Sequence, residues 1–247
     1  VIATDTLVVT VQDEFEYTVV DFNFEEDGSE NVWVLQNANL TPSRQTATAC
    51  SVAPHPEATD DWNCYVRVTG GTGNRWFYLD FASNLLLTEE KWTLDFDNAV
   101  CSQNHTGGTT SFAVVGSVSS NTKGVVATDT IMAVSVAGTG TVADILASDK
   151  TVLGTLTVAG NNATNRNNGS QLWNHFKLEG VKADKAVYLT ITSLDGATTV
   201  LARTKVADFT NPQGIAAQGG RGYGHIAFND IIGKIYRSEE HTSELQS

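Results

Sequence analysis

Apolar residues recur at every second position along most of this 247-residue chain. That is the period of a strand with one buried and one exposed face. In TLVVTVQ, Leu7, Val9 and Val11 share a face. In EFEYTVVDFNFEE, Phe15, Tyr17 and Val19 alternate first, and then Val20, Phe22 and Phe24 do. A one-residue change of phase would throw the apolar set to the other face, so a β-bulge is expected near Val19 and Val20. YVRVTGGTGNRWFYLDF reads as a hairpin turning through residues 70–74, because two β-rich runs flank a Gly-rich stretch. KWTLDFDN places Trp92, Leu94 and Phe96 inward and Thr93, Asp95 and Asp97 outward. IMAVSV, TVLGTLTVAG, AVYLTITS, TTVLARTKV and HIAFND continue the pattern, and TSLDGATT is the turn between two of them. Only VADILASDK (142–150) is compatible with a short helix.

Many short strands joined by Gly, Asn and Asp turns predict an all-β chain of antiparallel β-sandwiches, Ig-like or jelly-roll-like. A partial repeat suggests how many. VIATDT opens the chain, and VVATDT recurs at 125–130 after the small, polar stretch GSVSSNTKG. The expectation is two β-sandwich domains in tandem, residues 1–122 and 123–236.

The final residues, RSEEHTSELQS (237–247), break the pattern: they are polar, charge-dense and carry one aliphatic, Leu245. All eleven residues resemble the translation of a common sequencing-library adapter. That resemblance implies a non-native tail, expected to be disordered and dispensable. It also implies a fragment from shotgun or environmental DNA, cut off at the end and, lacking an initiator Met, at the start.

The net charge of −13, with only 15 Lys and Arg, leaves no basic footprint for nucleic acid. No apolar run approaches the ~20 residues that span a bilayer. Three cysteines, Cys50, Cys64 and Cys101, form no CxxC pair. The Pro-rich loop between Cys50 and Cys64 favours a disulfide closing it, worth about 3 kcal/mol in the chain-entropy view, with Cys64–Cys101 as an open rival. Sequons at Asn39, Asn104, Asn162 and Asn168 join the cysteines in suggesting a secreted, extracellular or cell-surface protein.

Catalytic motifs are absent: there is no GxSxG, HExxH or P-loop lysine signature. GGRGYGH (219–225) matches no nucleotide fingerprint and reads as a flexible approach to the next strand. Asp60–Asp61 and Asp95–Asp97 are carboxylate pairs of the kind an acidic surface holds by default. The chain is therefore expected not to be an enzyme and to need no organic cofactor. Ca²⁺ is the candidate ion, at Glu25, Glu26, Asp27 and Glu30 in EEDGSEN, hard oxygen ligands on a tight turn. If Phe77 and Leu79 face a core, Trp76 and Tyr78 form an outward aromatic pair suited to stacking on sugar rings. The leading expectation is a structural or adhesive module of a prokaryotic surface, matrix or appendage protein, with other subunits or surface polymers as partners. The alternatives are a glycan-binding β-sandwich module of an extracellular enzyme, with polysaccharide as its partner, and a viral structural jelly-roll protein.

Overall fold

The computed structural model describes residues 8–24, 32–35, 40–45, 63–68, 75–81, 90–101, 109–118, 129–158, 173–219 and 225–244. The strands before residue 122 are β1 (Val8–Phe22), β2 (Trp33–Leu35), β3 (Leu40–Gln45), β4 (Asn63–Val68), β5 (Arg75–Asp80), β6 (Lys91–Cys101) and β7 (Thr109–Val115). After it come β8 (Thr130–Ala137), β9 (Val142–Ala147), β10 (Val152–Thr157) and β11 (Asn174–Val181). The last four are β12 (Ala186–Ser193), β13 (Thr199–Asp208), β14 (Gly214–Gly219) and β15 (His225–Glu244). They form two antiparallel sheets. The eight-stranded sheet runs β13-β12-β11-β6-β15-β4-β3, with β1 also paired to β15, and the seven-stranded sheet runs β10-β9-β8-β7-β14-β5-β2.

The all-β class with antiparallel sheets is what the alternation predicts. The division into two tandem sandwiches at 122/123 is revised. β15 lies between β6 and β4, and β14 lies between β7 and β5, so strands from both halves interleave in both sheets. One core cluster joins them, from Val20 and Trp33 to Ile231 and Ile235. The two ATDT-led strands are not equivalent either. Among the described residues β1 pairs with β15, whereas β8 sits between β7 and β9 in the other sheet.

Side-chain burial explains most of the elements. Trp92, Leu94 and Phe96 are fully buried, as are Phe77 and Leu79. The ring of Phe96 stacks on Phe176 at 5.2 Å, and Phe112 meets both edge-on from the opposite sheet, at 5.9 and 5.5 Å. Gly180 pairs with Trp92 across β11 and β6, and a Cβ there would lie 2.1 Å from the indole. The bulge in β1 falls between Thr18 and Val20, with Val19 the extra residue, where the change of phase predicts it. Val20 and Phe24 are buried beyond it, while Phe15 and Tyr17 before it are exposed. The β12–β13 turn closes as read, with Gly196 at φ 67° and the Asp195 carboxylate accepting from the Ala197 amide at 2.9 Å.

Three local expectations are corrected. β4 and β5 are not a hairpin: β4 pairs with β3 and β15, and β5 pairs with β2 and β14 in the other sheet. Residues 142–147 form β9 rather than a helix, because Ala143, Ile145 and Ala147 alternate into the core. The tail is not irregular: residues 237–244 extend β15, paired with β1 in the register Phe15↔Arg237 to Val8↔Glu244. The core's last described member, Ile235, precedes it.

Phe112→Ala should cost about 3–5 kcal/mol of stability, read as a lower denaturation midpoint in guanidinium. A loss under about 1 kcal/mol would show that the inter-sheet aromatic contact does not hold the sandwich closed.

Candidate functional site

β5 builds the aromatic position anticipated for ligand contact. With Phe77, Leu79 and Phe81 buried, the period-two geometry turns residue 78 to the outer face of the seven-stranded sheet. Tyr78 is half-buried there, at the border of a buried cluster of Ala113, Val115, Ala133 and Ala216 against which Val118 and Leu146 also pack. Its row across the sheet is Tyr78↔Ala216↔Ala113↔Ala133. The row is made of methyl groups, so a ring can lie low over it. Trp76 occupies the next register position on the same strand face, opposite Gln218, which in turn pairs with Ser111. Gln218 donates through Nε2 to the Thr109 carbonyl at 3.5 Å. Among the described residues the buried Ser111 hydroxyl finds no hydrogen-bond partner.

The other anticipated groups fare differently. Glu25, Glu26, Asp27 and Glu30 lie outside the described residues, as does Cys50. Among the described residues no cluster of three or more His, Cys, Asp or Glu has metal-holding geometry. The rival disulfide Cys64–Cys101 is excluded by the backbone. Cys64 pairs with Phe228 and Cys101 with His225 on opposite sides of β15. Two strand spacings of ~4.8 Å already exceed the ~7 Å Cα separation a disulfide tolerates.

The outer face of the eight-stranded sheet carries a polar group that motif reading passed over. His175 lies opposite Asp97 across β11 and β6. Its Nδ1 is 2.7 Å from the Asp97 carboxylate and its Nε2 is 3.4 Å from that of Asp95. Hydrogen bonding to Asp95 and then to Asp97 raises the imidazole pKa from 6.5 to about 9, against a smaller opposing effect of burial. His175 is therefore charged at neutral pH. A general base works best with a pKa near the operating pH, so this imidazole serves as a cationic clasp between two strands. The signal available in the sequence was the alternation in NHFKLEGV, with Phe176 and Leu178 inward and His175, Lys177 and Glu179 outward.

The same face is paired elsewhere. Arg203 lies over the Tyr188 ring at 3.5 Å and bonds Glu179 at 3.2 Å. Lys234 meets Glu16 at 2.7 Å, and Lys91 lies 4.4 Å over Tyr236. On the far side of Asp97, in register, Asn229 is buried, its amide donating to Asp230 at 2.9 Å. Asp230 takes a left-handed φ of 48° at the bulge in β15.

No protein-family model and no curated protein matches the sequence. Among solved structures, the chain is similar to one described as the conserved carbohydrate esterase vb_24B_21 from the Shiga toxin-encoding bacteriophage phi24B. The TM-score is 0.52 and the identity 12%, over 90% of this chain and 99% of that one. It is also similar to lectin II from Ulex europaeus, at TM-score 0.40 and 13% identity over 90% and 100% of the two chains. A third is the VIP36 exoplasmic/lumenal domain in its Ca2+/Man3GlcNAc-bound form, at TM-score 0.42 and 11% identity over 83% and 85%. At these identities the likeness speaks to the fold, a β-sandwich of two antiparallel sheets.

The clasp carries a pH signature. The folded state holds a proton on His175 that the unfolded chain releases near pH 6.5, so its contribution is complete below that pH. It is lost as pH rises through about 9. Solvent screening at this half-exposed side chain keeps the contribution under about 1 kcal/mol. Melting temperatures from pH 6 to 9.5 should fall more steeply for the wild type than for His175→Gln. Parallel curves would show that the ion triad contributes nothing.

Proposed function

We propose that this protein is a carbohydrate-binding β-sandwich module that works outside the cell and performs no chemistry of its own. The supporting observation is the mounting of Tyr78: an aromatic side chain on an outer sheet face, half-buried on a floor of alanines. A ring held against methyl groups is fixed in orientation at little entropic cost, the arrangement that lets an aromatic face stack on the C–H face of a sugar. Trp76, two residues before it on β5, is the second aromatic position in this reading. The solved β-sandwich most similar in fold by TM-score among those named is described as a carbohydrate esterase, which fits polysaccharide as the partner. Esterase chemistry needs a nucleophile activated by a base. His175 is tied to Asp95 and Asp97 instead, which favours binding alone.

Tyr78→Leu keeps the packing against the alanines and removes the ring. Affinity electrophoresis in gels containing soluble polysaccharides should show binding about tenfold weaker for this variant, ~1.4 kcal/mol. The double variant with Trp76→Ala should weaken it further. Equal retention of wild type and variants, or retention of neither on any polysaccharide, would remove the reading.

The sheet edges favour a second reading, assembly through strand pairing. Edges are commonly protected by shortness, charge, proline or bulges. β2 has three residues, β3 contains Pro42 and Arg44, and β13 carries Arg203, Lys205 and three register irregularities. β10 reads VLGTLT, uncharged, with one irregularity near its start. A second copy could pair there antiparallel without like-charge contact. Thr155 and Thr157 are exposed, so Thr155→Lys with Thr157→Lys should convert a dimer to a monomer in light scattering. A wild type that stays monomeric at high concentration would exclude this reading.

A further inference from the structure

The sandwich opens where the last strands of its two sheets meet. There the turn after β9 approaches the end of β13, and the start of β8 lies beside them. The turn is strapped in place: the Ser148 amide donates to the Val206 carbonyl at 2.9 Å, and the Ala147 amide to the Thr151 carbonyl at 2.9 Å. The Asp149 carboxylate accepts from the Thr151 amide at 2.9 Å. Two hollows result. One, of about 390 Å³, is lined by Ser148, Asp149, Thr151, Leu153, Lys205 and Val206 among others. The other, of about 300 Å³, is lined by Gly116, Asp129, Thr130, Ile131 and Thr210. Ser148, Ala207 and Asp208 belong to both walls, so the hollows are the two halves of one cleft. Each is at the small end of the range for small-molecule sites.

We propose that this cleft is a second saccharide-binding site, selective for neutral sugars. It rests on the carbohydrate reading for the chemistry of its ligand, though not for its position. The lining supplies what a sugar requires: an apolar floor of Leu153, Val206, Ala207 and Ile131 for ring C–H groups, and hydroxyls and carboxylates around it. The carboxylates are partly pre-oriented, since Asp149 holds its own turn, Asp129 accepts from the Ser117 hydroxyl, and Asp208 meets Lys205 at 2.9 Å. Three carboxylates face one ammonium, so the cleft carries net negative charge. Like-charge repulsion in a shared site disfavours uronates and phosphates, and hydroxyl donors suit the carboxylate oxygens. Two adjoining hollows with Ser148 and Asp208 common to both walls suit a ligand of two linked rings.

The cleft is separate from the Tyr78 platform. β5 and β9 are four strands apart in the seven-stranded sheet, roughly 19 Å at ~4.8 Å per strand. A polysaccharide long enough to reach both would gain from the second contact without either being strong.

The test is amide chemical-shift mapping of the full chain with cellotriose, maltotriose and xylotriose, against trigalacturonate. At least one neutral trisaccharide should shift amides at 147–151 and 205–210, and Asp208→Asn should weaken that response at least tenfold. Tyr78→Leu should leave it unchanged. Shifts confined to residues around Tyr78 would overturn the cleft while sparing the platform. A trigalacturonate response at the cleft stronger than any neutral one would overturn its proposed selectivity. No response at the cleft to any neutral sugar would overturn the site itself.

Discussion

The contact between Phe112 and the paired rings of Phe96 and Phe176 holds two sheets face to face, and the rest of the fold depends on it. Phe96 and Phe176 lie parallel at 5.2 Å on the eight-stranded sheet, and Phe112 stands edge-on to both from the seven-stranded one. Phe228 closes the group at 5.3 Å from Phe112, and Trp33 adds a further ring at 5.3 Å from Phe228. These residues come from β2, β6, β7, β11 and β15, so no half of the chain can assemble the cluster alone. Edge-to-face and stacked geometry of this kind contributes beyond the burial of area. It also fixes the spacing at which the other side chains must fill the gap. Gly180 is one consequence, because the Trp92 indole occupies the place its side chain would take.

The two outer faces are finished in opposite ways. The eight-stranded sheet turns a lattice of cross-strand charge pairs outward, with His175 between Asp95 and Asp97 and Arg203 between Glu179 and Tyr188. Such pairs satisfy one another and add modest stability each, which leaves little unspent for a ligand. The seven-stranded sheet instead presents Tyr78 beside a buried transverse row of Ala216, Ala113 and Ala133. Small residues in one transverse row create the space in which an aromatic ring can settle. The functional proposals follow this contrast: the paired face stabilises, while the half-exposed Tyr78 ring beside the buried alanines and the cleft at the end of the sandwich are the surfaces proposed for a neutral polymer.

How much of this was legible depends on range. The alternation in KWTLDFDN and NRWFYLDF assigned Trp92, Leu94, Phe96, Phe77 and Leu79 to the interior, because facing along a strand is set by the residue's own neighbours. The bulge at Thr18–Val20 and the Asp195–Gly196 turn were legible for the same reason. The alternation of Ala143, Ile145 and Ala147 was equally local, but a window so short is compatible with either period, and only the core they pack into decided it.

Pairing is not local. Whether β4 joins β5 or β15, and whether two halves make two sandwiches or one, is decided by which apolar faces cover each other most completely. That is a property of the whole chain. The His175–Asp97 contact spans 78 positions and the Asn98–Ala227 bond spans 129. Asp95 and Asp97 were visible as an outward pair, but nothing in their own stretch names the histidine between them. The sequence by itself determined strands, faces and the absence of familiar catalytic motifs. Partners, and with them the ion triad, the alanine floor beneath Tyr78 and the cleft at the β9–β10 turn, were settled only when distant strands came into register.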